Sequence, residues 1–273
     1  MFLSGIAVTA AYVARTGAIL AHRELALVRA QAAADAGLTH AIQALSDIQT
    51  QHELTFNGHS NWSFDAYSVD ITVSSESGRI DVNAASDQLI GAFLLARGLR
   101  ADMASQLLSQ LRAKQGSEGP FSHLHSPETR TAASGNQTYA KPLRSIEELS
   151  DIDSWRASGV NCWLDSFTVF SGQREVDMTT APQNVIAAYR WLQEHQEGRL
   201  PMTSVAAQKA APNDHRSLAG SVLRVRASAL GTDGVQASSE WIGRLTGDKR
   251  DPSLTMDWNH RPVTSRSNCT SVT

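Results

Sequence analysis

Hydrophobic and polar positions divide the chain into regions of different period. From Met1 to Ala14 there is no charged residue, and from Arg15 onward charges arrive singly. Within this region Leu27, Ala34, Leu38, Ala41 and Leu45 recur at the three- and four-residue spacing of one helix face. The first proline is Pro120, so nothing here forces a break. The pattern predicts a single helix of about 45 residues, roughly 68 Å long at about 1.5 Å per residue. Such a rod is expected to be embedded at one end and packed at the other.

Two later regions alternate with the two-residue period of strands. Trp62, Phe64, Tyr67, Val69, Ile71 and Val73 alternate with polar residues, and a phase slip near Ala66 predicts a bulge. Ser74–Gly78 then turns the chain into a short strand, Arg79–Asn83. Further on, Leu223, Val225, Ala227 and Ala229 alternate with Arg224, Arg226 and Ser228. After Gly231–Gly234, Val235, Ala237, Ser239 and Trp241 alternate with Gln236, Ser238 and Glu240. This predicts a long hairpin with one buried and one wet face, extended by a strand at Leu254–Trp258. The helix stripe of Leu27, Leu38, Ile42 and Leu45 is expected to bury against that hairpin.

The middle of the chain has helical period. Ala84–Lys114 is predicted helical with a break at Gly98, and Gly116–Tyr139 is a long exposed loop. Ser145-Ile-Glu-Glu148 has the Ser and Glu of a capping box, so a short helix should start there. Phe167–Phe170 and Glu175–Met178, flanking Ser171–Arg174, predict a small hairpin. Pro182 sits where a first-turn proline belongs, ahead of a helix through Trp191 and His195. Gly198–Arg216 is a polar linker, and Arg261–Thr273 a loose tail. One echo stands out: Ile80–Ile90 resembles Val176–Ile186, each reading as strand, small polar turn and helix cap.

Composition narrows the function classes. With 41% hydrophobic and 19% charged residues the chain of 273 is an ordinary folded protein, long enough for one large or two modest domains. A net charge of −3 gives no bias toward nucleic acid. The two cysteines, Cys162 and Cys269, make neither a disulfide framework nor a metal cluster, and a single bridge would require an oxidising compartment. No basic residue precedes the apolar N-terminus, which speaks against a signal peptide. The charge-free run of 14 residues is shorter than the ~20 of a membrane span. Two readings of it stay open, a buried core helix and a membrane anchor whose beginning lies upstream.

No catalytic constellation is visible, so neither enzymatic activity nor a small-molecule substrate is expected. His123-Leu-His125 lacks a third zinc ligand. Asp151, Asp153 and Asp165 lack the carboxylate density and central glycine of a calcium loop. The chain has no Gly-rich phosphate loop, G-x-S-x-G elbow or H-E-x-x-H helix. Ile80–Leu111 resembles a helix–hairpin–helix DNA-binding element in the order strand, Asn-Ala-Ala, helix, Gly-Leu turn, helix. The turn Gly98-Leu99-Arg100 lacks the second glycine that lets backbone N–H groups approach a phosphate. Arg97 and Arg100 are therefore expected to pack, and DNA binding is the alternative function.

Taken in order, the elements resemble the K-type minor pseudopilin of bacterial type II secretion, the general secretion pathway protein K family. The resemblance rests on Val13-Ala-Arg-Thr16 followed by Ala30-Gln-Ala-Ala-Ala-Asp-Ala-Gly-Leu38, on Ser75-Glu-Ser-Gly-Arg-Ile-Asp-Val-Asn-Ala84, and on Val176–Ala188. The hairpin Val222–Leu245 and Leu254-Thr-Met-Asp-Trp258 complete it. It implies an α+β, pilin-like fold, with a long N-terminal helix packed on an antiparallel sheet and an inserted helical domain. The parts would be an anchor and spine helix at 1–50, sheet at 51–83, a mainly helical insertion at 84–216, sheet again at 217–260 and a tail at 261–273. The implied function is structural, a tip subunit of the periplasmic pseudopilus that supports export across the outer membrane. Its partners would be the other minor pseudopilins and the inner membrane, with no nucleic acid bound. The location implied is single-pass in the inner membrane with the bulk periplasmic.

The first half of the helix is apolar on nearly all sides, so Ile6, Val8, Tyr12, Val13, Ile19, Leu20 and Leu27 are the expected partner-binding residues. The family's leader, cleavage-site glycine and longer apolar run do not precede Met1, so full anchoring is expected only if the natural start lies upstream. No cofactor is expected. Where the family carries an acidic Trp-x-Asp-x-Asp stretch, this chain has Leu111–Gly116, which does not support calcium ligation.

Overall fold

The structure is a computed structural model that describes residues 2–47, 49–50, 54, 56–116, 141–159, 162–195 and 218–261. For residues 2–11 and 261 it describes the backbone only. The chain forms two compact units, Met1–Ser74 with His215–Ser265, and Ser75–Asp214 with Arg266–Thr273.

The first unit is a helix on a sheet. Helix α1 runs from Phe2 to Ser46. The sheet has five strands in the order β1-β2-β5-β6-β7, where β1 is His59–Phe64, β2 Tyr67–Ser75, β5 Val222–Gly231, β6 Gln236–Leu245 and β7 Ser253–Arg261. Pairing is antiparallel in β1–β2, β5–β6 and β6–β7. The phase slip near Ala66 is a reversal of the chain and not the expected bulge: Phe64 pairs with Tyr67, and Asp65 takes the left-handed conformation with φ 52°. The irregularity in the sheet lies elsewhere, between Ile242 and Gly243 where β6 meets β7. The long hairpin forms in sequence as expected, from Val222 opposite Arg244 to Leu230 opposite Gln236, but its second face is not wet: Arg224, Ser238 and Glu240 are buried, and Glu240 faces both Arg224 and Arg226.

Small residues let α1 sit close to this sheet. Ala33, Ala34, Leu38, Ala41 and Leu45 are buried against Val69, Ile71, Leu223, Val225 and Trp241. Gly37 lies at the closest approach: a Cβ there would stand 2.6 Å from Val69 Cγ1 and 3.3 Å from Ala227 Cβ. Trp241 closes the core and satisfies its indole N–H on Thr255 Oγ1 at 2.9 Å. At the helix flank Gln31 Nε2 donates to Ser239 Oγ at 2.5 Å, Ser239 Oγ donates to Asp35, and His260 Nε2 lies 3.3 Å from the same carboxylate. The expected seat of α1 on the hairpin is present for Leu38 and Leu45, with Ile42 partly buried. Leu27 is a correction, since it is 51% exposed.

The second unit is mainly helical. It contains β3 (Ile80–Asp81), α2 (Asp87–Ala96), α3 (Ala101–Gln115), α4 (Asp153–Ala157), β4 (Phe167–Thr168) and α5 (Gln183–His195). The break at Gly98 separates α2 from α3. The capping box at Ser145 and Glu148 opens a 3-10 turn over Ile146–Asp151. Two readings are corrected here. Ile80–Asp81 does not continue the large sheet but pairs in parallel with Phe167–Thr168 in a sheet of two strands. The small hairpin is absent because β4 takes that distant partner and Glu175–Met178 forms no strand. The echo between Ile80–Ile90 and Val176–Ile186 therefore holds for the turn and the helix that follows, and not for the strand. Around the pair β3–β4 the core gathers Phe93, Leu94, Leu111, Leu149 and Trp155. The Phe93 and Phe167 rings meet edge-on at 4.7 Å.

Candidate functional site

The motif Glu76-Ser-Gly-Arg-Ile-Asp-Val-Asn83 is a structural brace. Glu76 is fully buried, faces Arg79 Nε at 3.1 Å and accepts from Thr168 Oγ1. A Cβ on Gly78 would stand 2.4 Å from the Thr180 carbonyl oxygen, so only glycine fits. Asp81 accepts from Asn83 N at 2.9 Å, Gly172 N at 2.7 Å and Ser171 Oγ at 3.1 Å. Burial pushes its carboxyl above the usual carboxylate range, against the opposing pull of those hydrogen bonds. Asn83 grips the Leu143 backbone from both sides, donating to its carbonyl and accepting from its N–H, each at 2.9 Å. These polar groups are aimed at backbone and at one another, so their chemistry is spent on holding loops together.

The arginines of the α2–α3 turn are engaged within the unit. Arg97 Nη1 donates to Asn184 Oδ1 at 3.1 Å and its guanidinium lies 5.9 Å from the Trp163 ring centroid. Arg100 is paired with Asp102 at 3.2 Å. Two of the three acidic residues weighed for calcium are also held by cations: Asp151 lies 3.3 Å from Lys114 Nζ and Asp153 3.6 Å from Arg156 Nη1. Among the described residues no group of three or more His, Cys, Asp or Glu is arranged to hold a metal ion. His123 and His125 lie outside the described residues. Cys162 is disulfide-bonded, and the only other cysteine in the sequence, Cys269, lies outside the described residues.

The candidate site is the exposed half of α1. Burial stops abruptly along the helix: Ala30 is 0% exposed, whereas Leu20 is 58% and Tyr12 72% exposed. Val13, Ile19 and Leu27 belong to the same exposed surface, and so do Leu25 and Val28, which the sequence reading did not single out. Ile6 and Val8 lie on the helix, but their side chains are outside the described residues. At about 100° per residue, Ala26, Ile19 and Tyr12 drift only about 20° per step away from Ala33, which packs on the sheet. The core face thus continues past the last residue that the sheet covers. For Leu25 and Val28 only the lack of any cover shows that they are exposed. Among the described residues, no helix is long and apolar enough to cross a membrane.

Comparison with known proteins places this geometry. No protein-family model matches the chain, and no curated protein matches it either. Among solved structures it is similar to a chain of the GspK–GspI–GspJ complex of the type 2 secretion system from enterotoxigenic Escherichia coli. The match has a TM-score of 0.53 and 11% identity, and covers 91% of this chain and 99% of the other. The fold is therefore α+β and pseudopilin-like: a long N-terminal helix, a five-stranded antiparallel sheet and further helices.

Proposed function

We propose that the protein is a K-type minor pseudopilin, a structural subunit at the tip of the periplasmic pseudopilus of a type II secretion system. The observation that carries this is a pseudopilin-like fold whose helix is half seated on its own sheet and half bare. A bare apolar surface of that size costs solubility unless something covers it, and in an assembly built side by side the covering elements are neighbouring helices. The similar solved chain belongs to an assembly of three such proteins, which supports other minor pseudopilins as partners. The inner membrane is the second proposed contact, made through the start of α1, with the bulk of the chain periplasmic. The disulfide at Cys162 supports an oxidising compartment of that kind. In this role the chain is a building element and not a catalyst, and needs no cofactor.

The test is co-purification of the full chain with the I- and J-type minor pseudopilins of the same system, beside a DNA titration at two salt concentrations. Val13, Leu20 and Leu27 changed together to serine should abolish co-purification while leaving the unfolding midpoint within about 0.5 kcal/mol of the parent, as for exposed positions. Tight, salt-dependent DNA binding without any pseudopilin partner would overturn the proposal. So would recovery of the native protein entirely in the cytosolic fraction.

A further inference from the structure

The polar side chains on the bare half of α1 are ordered. Arg15, His22 and Arg29 recur every seven residues, two helical turns less about 20°, and so form one ridge along the helix. All three are exposed. The row Tyr12, Ile19 and Ala26 lies beside this ridge, and Val13, Leu20 and Leu27 lie on the far side of that row. Ridge, apolar row and second apolar row correspond to the g, d and e positions of a heptad seam. The remaining seam positions are Thr16, Arg23 and Ala30; Ala30 is buried within its own chain, and a third arginine, Arg23, sits in the middle of the apolar face. Between Tyr12 and Ala30 the only acid is Glu24, on the side away from the ridge.

We infer that this surface takes an α-helix of another chain that presents an apolar seam flanked by Asp or Glu at seven-residue spacing, and that Arg15, His22 and Arg29 select that helix and set its register. The inference rests on the pseudopilin reading and names the chemistry of the partner at the same surface. Charge complementarity is the argument for an acidic partner: the ridge carries the guanidinium groups of Arg15 and Arg29, with no acid beside them on their own helix. Arg23 is the argument for a helix over a lipid surface. A helix lying on a bilayer would press Arg23 into the acyl region at the centre of its apolar face. In a helix–helix seam one polar residue at such a position fixes register and meets a carboxylate across the interface. Ala26 leaves room for the second backbone to come close at the lower end.

The experiment uses the full chain and two synthetic three-heptad helical peptides with the same leucine–alanine seam, one flanked by glutamate and the other by lysine. Binding is followed by fluorescence anisotropy at low and high salt. The glutamate peptide should bind about fivefold tighter, the sum of two exposed ion pairs of ordinary strength at Arg15 and Arg29, and the preference should shrink at high salt. The triple variant R15E/H22E/R29E should invert the preference, and Glu24→Gln should leave it unchanged. Equal affinity for the two peptides, binding of neither, or a preference that survives the triple variant overturns the inference. Capture by phosphatidylglycerol-containing vesicles, lost in the triple variant and without peptide discrimination, overturns it in favour of a lipid surface. Co-purification with minor pseudopilins that persists beside any of these results leaves the pseudopilin reading standing and removes only the ridge. Failure of the parent chain to co-purify removes the reading itself.

Discussion

Gly37 is a glycine in the interior of a helix, where local propensity and tertiary fit pull in opposite directions. Alanine is favoured there over glycine by about 0.8–1 kcal/mol on helix propensity alone. Against that, the new methyl carbon would stand 2.6 Å from Val69 Cγ1 and 3.3 Å from Ala227 Cβ. Val69 is a β-branched residue, fully buried in a strand, so it has little freedom to swing aside. Overpacking of this kind costs typically 1–3 kcal/mol, so Gly37→Ala should destabilise the unit by about 1 kcal/mol net. The sign is expected to depend on Val69. In a Val69→Ala background the near contact is gone, and the same substitution should become stabilising by up to about 1 kcal/mol. Gly17, on the same helix with nothing within 4 Å of its Cβ position, gives the propensity effect alone, so Gly17→Ala should stabilise. Equilibrium urea unfolding measures all four variants, and hydrogen exchange at the Val69–Val73 amides assigns the transition to this unit. If Gly37→Ala has the same sign with and without Val69, the close approach of helix to sheet is not what requires glycine.

Two further outcomes test the units separately. Leu38 is fully buried between α1 and the sheet, so Leu38→Ala should cost about 2–5 kcal/mol; an unchanged urea midpoint would mean that the helix does not seat there. In the second unit Asp81 titrates above its ordinary value of 3.8 because burial disfavours the charge. The unfolded chain therefore releases this proton first, and the contribution of Asp81 to stability falls as pH rises from 3.8 through the higher folded value. Asp81→Asn should remove that slope, so a parent and variant with parallel stability–pH curves above 3.8 would refute it.

The parts of the fold that were legible in the sequence are those whose period is set by one buried face. The hairpin β5–β6 follows from the alternation Leu223, Val225, Ala227 and Ala229, since a slip of one residue would turn Arg224 and Arg226 from Glu240 toward the apolar face of α1; that this second face is itself buried left no mark in the alternation. The capping box at Ser145 and Glu148 was legible because its chemistry is wholly local. The parallel pairing of Ile80–Asp81 with Phe167–Thr168 was not. Two-residue strands carry no period, and a partner 87 residues away leaves no local mark. The brace around Asp81 and Asn83 was visible as a motif, but its purpose depends on Ser171, Gly172 and Leu143, which come from other parts of the chain.

Leu27 shows where periodicity misleads and length would have corrected it. Period alone places Leu27 on the buried face, because Leu27, Ala34, Ala41 and Leu45 share one side of the helix. The longest strands have 10 residues, about 33 Å at ~3.3 Å per residue, and five strands span about 19 Å between the axes of the outer two at ~4.8 Å spacing. A helix of 45 residues is about 68 Å long. Whichever way it crosses, such a sheet cannot cover more than about half of it. The same face is therefore divided by arithmetic into a part that belongs to the fold and a part that does not. Truncation of buried side chains at Ala30–Leu45 should register as loss of stability, while truncation of exposed apolar side chains at Tyr12–Arg29 should leave stability alone, the propensity gain at Gly17 aside, and register in association. An exposed-face substitution that unfolded the isolated chain would show that α1 finds its cover within its own molecule, and the case for a partner would then lose its basis.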